Sequence, residues 1–67
     1  MNYDTTTKPA LNNVTQTFAA TDNLGSRKTA CDAAAEAGAT PAEIRNAAGG
    51  HGPWNAFVRS LRAGGLL

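Results

Sequence analysis

Apolar residues recur with a helical period along most of this chain, and small or turn-forming residues break the recurrence at intervals. Leu11, Val14 and Phe18 stand at i, i+3 and i+7 with Asn12, Asn13 and Gln16 between them, which predicts an amphipathic helix over about residues 8–20. Thr15 and Thr17 are poor helix formers, so an extended, threonine-rich strand packing Val14 and Phe18 is the rival reading. Residues 1–8 are polar and aperiodic, and read as a flexible terminus. Thr21, Asp22, Asn23, Leu24 and Gly25 form a turn cluster. Ser26 then caps a helix over 27–37, where Ala30, Ala33, Ala34 and Ala37 make a narrow apolar seam and Gly38 stops it. Ala39 completes a link so short that the next helix must be a spatial neighbour.

That next helix is signalled by Thr40, Pro41, Ala42 and Glu43. The threonine oxygen accepts a free backbone N–H, the proline sits where no donor is missed, and the glutamate reaches back to the cap, together a capping box. Gly49, Gly50, Gly52 and Pro53 limit this helix to about Ala48. A second helix starts at Pro53, with Trp54, Phe57, Val58 and Leu61 on one stripe and Asn55, Arg59 and Arg62 on the other face. Gly64 and Gly65 end it, leaving Leu66 and Leu67 as an apolar tail able to fold back on the core. The expectation is an all-α protein: a small domain of three or four helices over residues 9–67 behind a flexible 1–8.

Sixty-seven residues make one domain with a small core and a few kcal/mol of net stability at most. The net charge of +1 supplies no strong field for nucleic acid or an anionic membrane, but its distribution is uneven. From Gly25 onward Arg27, Lys28, Arg45, Arg59 and Arg62 outweigh Asp32, Glu36 and Glu43, giving +2, whereas Lys8 against Asp4 and Asp22 gives −1 before it. An anionic partner therefore meets the C-terminal part. The single cysteine, Cys31, among alanines, reads as a small buried residue and excludes an internal disulfide. No apolar run suits a bilayer and the polar start lacks a signal-peptide pattern, so a cytoplasmic protein without a membrane partner is expected. One histidine, one distant cysteine and scattered carboxylates assemble no nucleophile, base and orienting group, which argues against an enzyme. No metal or cofactor is expected; the 49–52 glycines lack the lysine and hydroxyl residue of a phosphate loop.

The helix at 27–37, the link Gly38 and Ala39, the capped Thr40, Glu43 and Ile44, the Gly49 turn, the second amphipathic helix and the closing Gly65, Leu66 and Leu67 together resemble the helical part of a winged helix-turn-helix DNA-binding domain. In that family a T-x-x-E-I helix is followed by a glycine turn, a recognition helix and a G-L-L that opens the wing strands. The pattern covers residues 27–67, departs from the family in a glycine-rich turn, and matches a version lacking the wing. The resemblance implies a small regulator of the phage or mobile-element type that binds double-stranded DNA. Residues 53–63 would be the recognition helix, with Asn55 facing adenine and Arg59 facing guanine. Arg62, Arg45, Arg27 and Lys28 would contact phosphates, joined by His51 and the backbone N–H groups near Pro53. With three or four phosphates neutralised, useful affinity would call for a homodimer. Two other readings compete: a protein-interaction module, such as a phage-encoded inhibitor or adaptor of a host protein, and a structural homodimer joined through Trp54, Phe57, Leu66 and Leu67.

Overall fold

The computed structural model describes residues 3–67, and among these the chain is all α-helical: α1 (Tyr3–Ala20), α2 (Leu24–Glu36), α3 (Pro41–Ala47) and α4 (His51–Ala63). α1 lies most extensively along α2 and also crosses α3, while α4 packs on α2 and α3. The core where they meet holds Val14, Ala30, Cys31, Ala34, Ala39, Ile44, Ala48, Phe57 and Leu61. Val14 and Ala34 are fully buried.

α1 is a helix rather than a strand, and it begins earlier than its apolar residues suggest. Met1 and Asn2 lie outside the described residues, but the helix is already formed at Tyr3 and runs through Pro9 instead of opening there. Proline in a helix interior removes one main-chain hydrogen bond, so something else must hold the first turns. Thr7 does so. It stands four residues before Leu11, on the same face as Val14 and Phe18, and its side chain is buried. Its hydroxyl donates to the carbonyl of Ala37, the C-cap of α2, which has no acceptor role left inside its own helix. Eight residues on, the Thr15 hydroxyl donates to the carbonyl of Ala47, the last residue of α3, at 2.8 Å. Two threonines on one helix thus close the ends of two others.

The other helix ends follow from local chemistry. α2 starts at Leu24, not Arg27, because Asn23 is its cap: the Asn23 Oδ1 accepts from the Ser26 backbone N–H at 2.8 Å, so the expected cap residue is the donor instead. The seam of α2 is Ala30, Cys31 and Ala34, rotated from the predicted one, with Ala33 exposed. The capping box of α3 forms in full, with Glu43 N–H donating to Thr40 Oγ1 at 3.2 Å and Thr40 N–H to Glu43 Oε1 at 2.8 Å. α2, α3 and α4 end alike. Ala39 N–H bonds back to the Ala34 carbonyl, Gly50 N–H to Arg45, and Leu66 N–H to Leu61, each across a glycine at positive φ. These are Schellman motifs, which the glycines at 38, 49 and 65 permit.

α1 has no such glycine. The Arg27 guanidinium reaches over from α2, donating from Nε to the Thr21 carbonyl at 2.8 Å and from Nη2 to the Phe18 carbonyl at 3.0 Å. Its Cζ lies over the Phe18 ring, 4.6 Å from the ring centre. Phe18 in turn meets Phe57 edge-on, with ring centres 5.0 Å apart, and Phe57 meets Trp54 at 5.4 Å. Each such aromatic pair adds about 0.5–1.5 kcal/mol beyond its buried area. This run of contacts ties α2, α1 and α4 together. Leu66 and Leu67 do not join the core; they are 42% and 69% exposed, because the Schellman turn at Gly65 carries the chain away from it.

Two outcomes follow. Thr7→Val keeps the shape but strands the Ala37 carbonyl, and should cost about 1–2 kcal/mol, read as a lower urea midpoint with an unchanged slope. Burial, reinforced by the charge of neighbouring Asp32, pushes the Cys31 thiol up to about 11 from its ordinary 9.0. The folded state holds this proton more tightly than the unfolded chain, so the contribution is complete below pH 9.0 and is lost as pH rises toward 11. Unfolding midpoints followed across that window should fall, and Cys31→Ala should flatten the fall.

Candidate nucleic-acid interface

α3 and α4 are joined by residues 48–50, and this link decides which residues α4 presents. Gly49 has φ of 115° and Gly50, the N-cap of α4, has φ of 99°, conformations that L side chains rarely adopt. A side chain at 49 would also bring its Cβ to 3.1 Å from the Pro53 Cγ. The link therefore turns sharply enough for α4 to begin at His51, two residues before the predicted start at Pro53. Pro53 occupies the third helical position, where its missing donor would have had no helical acceptor anyway.

The earlier start changes the site. With His51 in the helix, His51, Asn55 and Arg59 stand at i, i+4 and i+8 and form one row along α4. Trp54, Val58 and Arg62 form the adjoining row, closer to the core. His51, Asn55, Arg59 and Arg62 are exposed, and their side chains form no hydrogen bond or ion pair with the described residues. Trp54 and Val58 are half-buried, unlike Phe57 and Leu61, which complete the apolar stripe in the core. Trp54, Asn55, Val58, Arg59 and Arg62 together line an open concavity of about 330 Å³. The apolar stripe read from the sequence thus divides: half of it packs inward, and half joins the polar face. Its helical phase alone already placed Trp54 and Val58 next to Asn55 and Arg62, which was the available signal.

The electrostatics of this face are one-signed. Beyond Glu43 the chain holds Arg45, Arg59 and Arg62 and no acidic residue. At the start of α4 no side chain caps the helix, leaving the His51 and Gly52 N–H groups without a helical acceptor at the positive end of the dipole.

The remaining predicted contacts are placed elsewhere. Arg27 closes the end of α1 and borders a groove with Pro53, Ala56 and Ser60, on the opposite flank of α4 from Asn55 and Arg59. Lys28 pairs with Asp32 one turn along α2 at 2.8 Å, an exposed pair worth only a few tenths of a kcal/mol. Arg45 is half-buried on α3 with its Nε enclosed and without a hydrogen-bond partner among the described residues. Sequence spacing grouped seven residues; the structure brings four of them onto one helix face.

Because the link sets the register of α4, Gly49→Ala should destabilise by about 1–2 kcal/mol and disturb the face, whereas Gly52→Ala, at an open helical position, should stabilise by about 0.5–1 kcal/mol. Thermal midpoints of the two variants moving in opposite directions would check this. No family model, curated protein or solved structure matches the chain.

Proposed function

We propose that this chain is a small DNA-binding regulator in which α3, residues 48–50 and α4 act as a helix-turn-helix and α4 enters the major groove. The observation that carries the reading is the unpaired, acid-free face of α4, where Asn55 and Arg59 share one row and Arg62 stands beside them. Asparagine pairs bidentately with adenine and arginine with guanine, and both side chains are free to do so here. Arg62, Arg45, His51 and the first N–H groups of α4 supply phosphate contacts that fix the helix in the groove. Arg27 and Lys28, already engaged within the fold, add little. The phosphates neutralised then number about two or three per protomer, so affinity is moderate and a homodimer on a two-half-site duplex is the functional form.

The half-exposed Trp54 and Val58 favour a second reading, a module that binds an acidic surface of a host protein. Titration of random-sequence duplex DNA at two salt concentrations separates the two. The DNA reading expects affinity to fall as salt rises, with a log–log slope of about −2 to −3 per protomer. Arg59→Ala should cost about 1–3 kcal/mol and relax base preference, while Arg62→Ala should weaken all sequences alike and reduce the slope by about one. Absence of binding even at low salt would reject the DNA reading in favour of the protein partner.

A further inference from the structure

We infer that Val58, with Trp54 beside it, reads the 5-methyl group of a thymine, so that α4 selects its site by an apolar contact as well as by Asn55 and Arg59. The inference rests on the reading of α4 as a recognition helix and adds to it a base that the polar residues do not identify.

The geometry of the concavity carries the argument. Val58 is encircled on the helix surface by Trp54 at i−4, Asn55 at i−3 and Arg62 at i+4, and all of them line the same open depression together with Arg59. Most of its lining is polar and cationic, from the exposed Asn55, Arg59 and Arg62, and its apolar part comes from the half-buried Trp54 and Val58. The cationic side chains draw this surface against DNA, and once there Val58 can offer no hydrogen bond. Of the groups that base pairs display in the major groove, the thymine methyl is the apolar one. A cytosine amino group or a purine acceptor facing Val58 would lose its water without gaining a partner. Trp54 supports the contact from the core side, since its ring is held against Phe57 with centres 5.4 Å apart and presents only its outer part.

The same geometry restricts where the thymine lies. Asn55 and Arg59 are four residues apart, about 6 Å along the helix axis, with Val58 between them. Base pairs rise by about 3.4 Å, so the thymine falls within about two base pairs of the positions that Asn55 and Arg59 contact.

The test starts from the duplex that the protein enriches from a random-sequence pool, remade with uracil in place of thymine one position at a time. Uracil keeps every hydrogen-bonding group and removes only the methyl. At one position, next to the preferred adenine or guanine, the substitution should weaken binding about three- to tenfold. Val58→Ala should weaken binding to the thymine duplex by a similar factor and bind the thymine and uracil duplexes equally. The uracil scan on the unaltered protein stands on its own if that variant folds poorly. A preferred duplex that tolerates uracil at every position overturns the methyl contact while leaving α4 as a recognition helix. Failure to bind or enrich any duplex overturns both.

Discussion

The fold depends on satisfying the carbonyl groups at helix C-termini around a small core. A chain of this length buries little large apolar area, and most of its seam is alanine and cysteine, so an unpartnered carbonyl would consume a sizeable part of its stability. The Thr7 hydroxyl on the Ala37 carbonyl and the Thr15 hydroxyl on the Ala47 carbonyl meet this constraint by making α1 a brace across the ends of α2 and α3. Arg27 returns the favour for α1. With those ends fixed, the links 37–40 and 48–50 have one geometry each, and α4 is set at a defined register.

The proposed DNA-reading face depends on that register. Glycine at 49 and 50 lets α4 start at His51, which aligns His51, Asn55 and Arg59 in a row and leaves Trp54 and Val58 at the boundary between core and surface. Phe57 and Leu61 hold the helix down, so the face beside them is offered on a rigid element rather than a loop. Charge completes it: the acidic side chains lie at or before Glu43 in the sequence, and the charged side chains that α4 itself carries are basic.

Features that depend on neighbours in sequence were legible, and features that depend on distant residues were not. The capping box at Thr40 and Glu43, the glycine stops and the buried pair Phe57 and Leu61 follow from spacing alone and are present. The helical start at Tyr3 was hidden because Thr7 earns its place through a carbonyl thirty residues away. Asn23 and Ser26 are equally good caps three residues apart, and only the folded chain shows that one bonds to the other. Arg27 reads as a free cation from the sequence because nothing local shows that its guanidinium folds back onto the carbonyls of Phe18 and Thr21. The α4 face itself is half legible: Asn55, Arg59 and Arg62 follow from helical phase, His51 is expected as a contact from the glycine loop but joins their row only through the earlier start of α4, and spacing alone assigns Trp54 and Val58 to the core.

The most direct measurement is a titration of random-sequence duplex DNA into the isotopically labelled protein, following backbone amide resonances residue by residue at low salt. The account predicts shifts confined to residues 51–62 and to Arg45 on α3, with α1 and the exposed side of α2 unchanged. Shifts centred on α1 and α2, or no shifts at any DNA concentration, would contradict it.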